Sequence, residues 1–591
     1  MIDVNAPTVR YTTYFPPQLE PSLKKKLEHT SILKRLEPRP PLTLFALEKR
    51  AQKDVKEMLE TLETNGYFES DVSFKMTENE DQHMIMFHIE TGPLYIFSGF
   101  DIHYEDHLPS HMIHLNELNL PLKKGDPVDL EKAMDIGRKI AKYWRTQGYP
   151  FAKALDMKGI KNASHKSLHL IFSIRLGPKS IFGKTTINGL TRLEPSFVLN
   201  RLDYEEGTVY NEKCIDSSRK ALIETGLFNE ITLQPSPQQE NRESSAVPID
   251  IHLKEGPPRR IGGGVKYASS DGFSGRVFWR HDNFLGKGES IETKMITGKK
   301  RNEARIAFSK PDYGLKKQTL YTALSGTEDI TRAYRSKSGK GAFGFTYDIT
   351  SVLQLSYGID YEISKIKRNK RITYSRLLGV PFIGEFDSTN SILNPTEGFK
   401  VRIKTNPYVG KYAGNNGFWV NEVFASTYIH PKIQSIEESE NIFVLAAWGK
   451  AGVISSSSTE YVPPTKRLYS GGGNSVRGYG YQLLGPIDSR TTPIGGLSVI
   501  EFGSEARFAI TETIGAVVFA EAGSVGLKRI PKMNGDNLLW GTGVGVRYFT
   551  GIGPIRFDLS FPMKRRIDPG SSRHKKMDAP FQFYISIGQA F

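Results

Sequence analysis

The chain reads as three small α+β modules followed by an all-β, 16-stranded transmembrane β-barrel. Three observations predict that fold. A pair of markers recurs three times in the first 257 residues. Beyond Arg259, segments of about ten residues alternate apolar and polar side chains. The composition, with 33 Phe, 26 Tyr and 55 Gly in 591 residues, suits strands and turns better than a helical bundle.

The first marker ends each module: Ile89-Glu90-Thr91-Gly92-Pro93, Ile174-Arg175-Leu176-Gly177-Pro178 and Leu253-Lys254-Glu255-Gly256-Pro257. The second lies inside each: Asn65-Gly66-Tyr67-Phe68, Gln147-Gly148-Tyr149 and Thr225-Gly226-Leu227-Phe228. Glycine just past a helix fits a left-handed cap. The alternation that follows, as in 228–233, fits a strand. Two markers in the same order three times predict three copies of one module, bounded at 1–94, 95–178 and 179–258. Each reads as strand, helix, helix, strand, strand. The helix before Gly66 places Val55, Met58, Leu59 and Leu62 on one face; the one before Gly226 places Cys214, Ala221 and Leu222 there. Cys214 is the single cysteine, so no intrachain disulfide forms, and it reads as a small buried residue. A three-stranded sheet covered by two helices keeps an open edge that can accept another strand. The plainer reading makes the modules spacers.

Residues 259–591 read as the barrel. Ile555, Phe557, Leu559 and Phe561 alternate with Arg556, Asp558 and Ser560. Trp540, Thr542, Val544, Val546 and Tyr548 alternate with Gly541, Gly543, Gly545 and Arg547; Phe581, Phe583, Ile585 and Ile587 alternate with Gln582, Tyr584 and Ser586. Apolar-out, polar-in alternation is the pattern of a lipid-facing wall. Short turns such as 549–553 alternate with long loops such as 454–494, 524–538 and 563–579. No 18-residue apolar run exists and the mean hydropathy is −0.39. That excludes a transmembrane helix and leaves a barrel open.

The net charge of +15 is scattered, and no nucleic-acid partner is expected. Its densest cluster, Lys564-Arg565-Arg566 with Arg573, Lys575 and Lys576, reads as a solvated loop or as one that meets lipid phosphates. His103, His107, His111 and His114 read as solvent-facing rather than metal-binding. There is no G-x-S-x-G elbow, and the Gly471-Gly472-Gly473 loop lacks the Gly-Lys-Ser/Thr end of a phosphate loop. No enzyme activity, cofactor or metal is expected. The first fifteen residues carry no basic-plus-apolar signal sequence, so the expectation is a mature form or a misplaced start.

The most informative stretch is Ser475-Val476-Arg477-Gly478-Tyr479-Gly480-Tyr481-Gln482, after three glycines in a long loop. Glycine permits close backbone approach, and the guanidinium offers a fixed fork of donors to carboxylates. With Leu393-Asn394-Pro395-Thr396-Glu397-Gly398-Phe399 and Gly551-Ile552-Gly553-Pro554-Ile555-Arg556-Phe557-Asp558, this chain resembles the BamA/TamA superfamily, whose modules are called POTRA domains. Three modules resemble the TamA-type branch, the outer-membrane subunit of the translocation and assembly module; BamA typically carries five, and two-partner secretion transporters two.

The resemblance implies that the Val476-Arg477-Gly478-Tyr479 loop folds into the lumen. There the arginine would pair with acids on the next two strands, at Glu505 and Glu521, with Glu501 and Arg507 nearby. The family usually has Asp where Glu521 stands. The barrel would close between a first strand at 261–268, weakened by Gly262, Gly263 and Gly264 beside Val265, and a last strand at 581–591 with Gly588 and Phe591. A weak seam can open sideways and template an incoming strand. The implied partners are nascent outer-membrane or autotransporter polypeptides, outer-membrane lipids, and a TamB-like, inner-membrane-anchored protein at periplasmic POTRA modules. The alternatives are a two-partner-type secretion transporter for a dedicated passenger, a passive porin-like channel and an outer-membrane lipase.

Overall fold

The computed structural model describes residues 9–79, 82–106, 118–236, 246–431, 443–511, 513–551, 553–568 and 575–587. The chain forms two compact units. One comprises Met1–Gly189, Leu202–Thr225 and Glu230–Lys254; the other comprises Leu190–Arg201, Gly226–Asn229 and Glu255–Phe591.

The first unit begins with β1 (Tyr11–Tyr14), α1 (Pro21–Thr30), α2 (Ile32–Arg35), α3 (Leu44–Thr64), β2 (Asp71–Asn79) and β3 (Gln82–Glu90), whose sheet order is β1-β3-β2. The second sheet, in the order β4-β6-β5, holds β4 (Ile96–Tyr104), β5 (Lys153–Asn162) and β6 (Ser167–Arg175), with α4 (Leu130–Thr146). The third, in the order β7-β9-β8, holds β7 (Ile181–Asn188), β8 (Phe228–Pro235) and β9 (Ala246–Glu255), with α6 (Glu212–Glu224); α5 (Pro195–Leu199) falls in the second unit. Local chemistry sets the helix ends. Thr43, Asp129 and Asn211 cap α3, α4 and α6 by accepting from Ala46, Lys132 and Lys213 backbone NH groups. Gly66, Gly148 and Gly226 follow these helices at φ of +90°, +102° and +64°, where a side chain would be strained.

The expected module order needs one amendment. The first sheet has an additional short helix, α2, because Asp54 on α3 binds its start. The fully buried carboxylate accepts from Ser31 Oγ at 2.5 Å, Ile32 N at 2.7 Å and Leu33 N at 3.0 Å. The first helix expected in the second module falls on 107–117, outside the described residues, as do His107, His111 and His114. Cys214 is half-buried rather than buried: the inward face of α6 is shifted by one residue, to Ile215, Ser218 and Leu222.

The second unit holds the barrel strands. They are β10 (Arg259–Ala268), β11 (Gly272–Asp282), β12 (Ser290–Gly298), β13 (Arg301–Lys310), β14 (Gln318–Ile330) and β15 (Arg335–Asp348). Then come β16 (Leu353–Arg368), β17 (Arg371–Gly379), β18 (Phe382–Asp387), β19 (Gly398–Tyr412), β20 (Asn415–Ile429) and β21 (Phe443–Ser455). The last are β22 (Ser498–Ala509), β23 (Ile514–Gly526), β24 (Leu539–Tyr548), β25 (Ile555–Pro562) and β26 (Gln582–Ile587). They form a closed antiparallel barrel. β17 and β18 are two halves of one strand, since both pair with β16 and with β19. The break falls at Val380-Pro381, where proline has no NH to give the ladder. Sixteen strands therefore close the wall.

β10 starts at the near rim. At the opposite, far rim the turns 269–271, 299–300, 331–334, 369–370 and 413–414 are short, and the connections 456–497, 527–538 and 563–581 are long. The outer face is apolar: Trp540, Val544, Val546 and Tyr548 are exposed on β24, as are Ile555, Phe557 and Phe561 on β25. At the near rim Arg201 lies over the Phe197 ring at 3.6 Å and pairs with Asp312 at 2.6 Å.

Glu255, in the third repeated marker, closes the loop ahead of α5. It accepts from the backbone NH groups of Thr191, Arg192 and Leu193, each at 2.9 Å, and from Arg192 Nε at 2.9 Å. Burial pushes its carboxyl up, but the Arg192, Leu193 and Thr191 NH groups and the Arg192 guanidinium outweigh burial and hold the pKa at about 2. A depressed carboxylate stabilises the fold above its unfolded pKa of roughly 4.3, and that contribution disappears as pH falls towards the folded value. Thermal melts of the wild type and Glu255→Gln should differ by about 2–3 kcal/mol at pH 7 and converge between pH 4.5 and 2. A gap that stays constant across that window would contradict the assignment.

Candidate functional site

The long connection 456–497 folds into the barrel lumen, against inward residues of β22, β23 and β25. Its arginine, Arg477, is fully buried, a costly place for a charge unless every donor is met. Glu521 on β23 meets most of them. Its Oε1 accepts from Arg477 Nε at 2.8 Å and Nη2 at 2.6 Å, while Oε2 accepts from the Arg477 backbone NH at 2.7 Å. The glutamate thus binds side chain and main chain together, and the extra methylene relative to aspartate is accommodated. Glu505 on β22 accepts from Nη2 at 3.1 Å, and Asp558 on β25 accepts from Nη1 at 2.8 Å. The guanidinium lies 3.3 Å from the centroid of the buried Phe519 ring.

The network is larger than Arg477, Glu505, Glu521 and the nearby Arg507 that the sequence singled out. Arg547 on β24 pairs with Asp558 at 2.5 Å and with Glu505 at 3.7 Å. Arg556 reaches Asp558 at 3.1 Å, and Arg507 reaches Glu505 at 2.8 Å and the Pro395 carbonyl at 3.1 Å. Four arginines therefore share three carboxylates, with backbone carbonyls as further acceptors. Sequence reasoning missed Asp558 and Arg547 as partners. The alternation along 555–561 had already placed Asp558 on the inward side, next to a stretch that carries the family resemblance. Glu501 receives the Ser475 hydroxyl and lies 3.9 Å from Lys450.

Two glycines let the loop backbone reach the wall. Gly478 has φ +98°, and a Cβ there would lie 3.0 Å from the Phe561 carbonyl. A Cβ on Gly541 would overlap the Arg477 carbonyl oxygen. Tyr479 is fully buried, and its hydroxyl donates to the Lys564 carbonyl at 2.9 Å. The basic cluster 564–566 is engaged in this packing. Arg566 forks onto Asp578 at 2.7 and 2.9 Å, and Lys564 pairs with Asp536 at 2.6 Å. Arg573 lies outside the described residues.

The seam is short. β10 pairs with β11 along its whole length, from Arg259↔His281 to Ala268↔Gly272. Against β26 it pairs, among the described residues, only at Tyr267↔Ile585 and Ala268↔Tyr584. Ser269 adds a backbone bond to the Phe583 carbonyl at 3.0 Å and a hydroxyl bond to Gln582 at 2.5 Å. Gly262, Gly263, Gly264 and Val265 lie on the part of β10 that has no described partner on that side, and Val265 is 64% exposed. Gly588 and Phe591 lie outside the described residues. The loop touches both sides of the seam. Lys266 on β10 donates to Asn474 at 3.4 Å, and Gly473 lies against the inward ring of Tyr584 on β26.

A barrel with an apolar outer face, a lumen closed by its own arginine-locked loop and small α+β modules ahead of it defines a class of membrane barrel. The chain belongs to the Omp85 superfamily, whose domain description matches residues 283–591. The POTRA description, a surface antigen variable number repeat, matches residues 180–256. The outer membrane protein assembly factor BamA of Nitratidesulfovibrio vulgaris is 24% identical over 554 residues, covering 89% of this chain and 66% of that protein. BamA of Neisseria meningitidis serogroup B is 18% identical, covering 88% and 71%. The chain thus spans about two thirds of the length of these relatives. Among solved structures, BamA from Haemophilus ducreyi lacking POTRA domains 1-3 superposes with a TM-score of 0.66 at 19% identity, covering 83% of this chain and all of that one. CdiB from Acinetobacter baumannii superposes with a TM-score of 0.50 at 12% identity, covering 97% of this chain and all of that one. These likenesses show the fold. The relatives are named BamA, so the superfamily stands and the narrower TamA-type resemblance rests on the three modules.

Replacing Arg477 with Ala strands Glu521 and removes one partner each from Glu505 and Asp558, and should cost the barrel about 3–5 kcal/mol. The folded band in a heat-modifiability gel should then be lost at a lower temperature. Arg477→Lys should not restore it, because one ammonium cannot span three acceptors. Asp558→Ala, which releases three arginines, should destabilise at least as much as Glu521→Ala. Unchanged melting in all of these would show that the network does not hold the barrel.

Proposed function

We propose that this chain is an outer-membrane protein assembly factor, of TamA type, that helps insert or secrete autotransporter-type barrel proteins through the seam between β10 and β26. The seam is the observation that carries the reading. Among the described residues, two pairs join the first strand of the wall to the last, Tyr267↔Ile585 and Ala268↔Tyr584. Once that edge is opened, the donors and acceptors along β10 match those of an incoming strand, so a substrate strand can enter lipid without stranding its backbone groups. The loop that touches both seam strands from inside supports coupling between the lumen lock and the seam. The modules ahead of the barrel, with sheet edges of their own, suit the handling of extended polypeptide and of a TamB-like partner in the periplasm.

In-cell photo-crosslinking from Val265 tests this. Capture of terminal strands from several barrel proteins or autotransporters is the expected result. Capture of one secreted polypeptide would instead favour a dedicated two-partner-type transporter. Retention of only the chain's own last strand would overturn seam-templated assembly.

A second measurement bears on the same step. In a Cys214→Ser background, cysteines in place of Tyr267 and Ile585, which sit directly opposite, should lock the seam on oxidation. Assembly of substrate barrels should then fall at least tenfold and return on reduction. Full activity in the locked form would exclude lateral opening.

A further inference from the structure

The outer face of the far rim carries charge on one side only. Along β21 to β26 the outward positions hold no charged residue among the described ones, as in Leu445, Ile500, Val518, Val546 and Phe557. On β15, β16, β17 and β19 the outward positions near the far rim are Arg335, Lys337, Lys365, Lys367, Arg376 and Lys411, all exposed. The register sets like charges directly opposite each other: Arg335↔Lys367, Lys337↔Lys365 and Arg376↔Lys411. Such pairs repel, and a sheet keeps them at a cost unless something negative sits between them. The acid on this face is Glu328, 2.8 Å from Arg335 and 3.9 Å from Lys337. Lys365, Lys367, Arg376 and Lys411 form no ion pair with any described residue.

The surface below these cations is shaped for a chain of methylenes. In the register, Ala304, Gly326, Gly339 and Ile363 form one cross-strand row, with Ile306, Leu324, Gly341 and Tyr361 next to it, away from the rim. The missing side chains leave a groove of about 640 Å³ between Leu324, Tyr361 and Ile363. It adjoins a second hollow of about 690 Å³ that reaches Lys337. An apolar trough that ends under a fan of cations matches an anionic amphiphile.

We propose that this face, between β14 and β19, docks a membrane lipid whose headgroup carries two or more phosphates. The phosphates lie between the opposed Lys and Arg pairs, and an acyl chain fills the glycine-floored groove. The proposal rests on the outer-membrane reading above, which turns the far rim to the outer leaflet. It is separate from the basic loop 564–566, whose charges are spent on Asp578 and Asp536.

The test compares the purified full chain with a variant carrying Lys365→Gln, Lys367→Gln, Arg376→Gln and Lys411→Gln. Both are held in a phosphate-free detergent and titrated with diphosphorylated lipid A or with phosphatidylcholine, and native mass spectrometry counts the bound lipid. The wild type should retain diphosphorylated lipid A in preference to phosphatidylcholine, and the variant should lose about tenfold or more of that retention. A Lys→Arg version at 365, 367 and 411 should keep it. Equal retention of both lipids by the wild type, or unchanged retention in the variant, overturns the proposal. If the fourfold variant does not give a folded, heat-modifiable barrel, Lys365→Gln/Lys411→Gln serves the same comparison. Val265 crosslinking in the fourfold variant is expected to be unchanged, so failure of lipid binding and failure of the assembly reading are told apart.

Discussion

The structure depends on a cation that has been taken out of water. Arg477 sits fully enclosed in the barrel and is tolerable there only because Glu521, Glu505 and Asp558 converge on its guanidinium. That requirement reaches outward in steps. The three carboxylates bring Arg507, Arg547 and Arg556 with them, and each arginine is held on a different part of the wall from β22 to β25. Glycines at 478 and 541 exist because the loop must touch the wall for the fork to reach. The lumen is therefore a polar core with the stringency of an apolar one, in which removing a single member unbalances several pairs at once.

Around this interior the wall is a continuous ladder that closes on itself. Even the strand broken at Val380-Pro381 recovers its pairing on either side of the break. The junction of β10 with β26 is backed from within by the loop that carries Arg477. The charge network fastens that loop to β22, β23 and β25, while the same loop meets the seam at Lys266 and Tyr584.

Much of this was legible in the chain, for physical reasons. A strand exposed to lipid on one face and to a polar lumen on the other must alternate, so parity alone put Glu505, Glu521, Arg507 and Asp558 on the inside. Three repeats of a helix-ending glycine marked the modules because a left-handed residue is needed there each time. What parity does not give is distance. Nothing in the spacing says that Asp558 meets Arg477, or that Arg547 meets Glu505, since that depends on barrel curvature and stagger. Cys214 was misjudged because a helical face read from small residues can be rotated by one position at little cost to the pattern. The opposed lysines at the far rim are a property of register, which a single strand does not reveal.

The loop lock also orders the way the barrel can be made. The acids that capture Arg477 all follow it, at separations of 28, 44 and 81 residues. The strands before it supply none of them. Contacts of modest sequence separation form sooner than those that join the ends of a chain. A sheet from β22 to β25 can therefore curl around the loop and neutralise its charge while the first strands are still free. The junction of β10 with β26 joins strands at opposite ends of the barrel sequence and carries the largest loop-closure cost. Nascent barrels of this kind would then pass through a stage in which the lock is already set and the cylinder is still a ribbon, with its two ends the last parts to find each other.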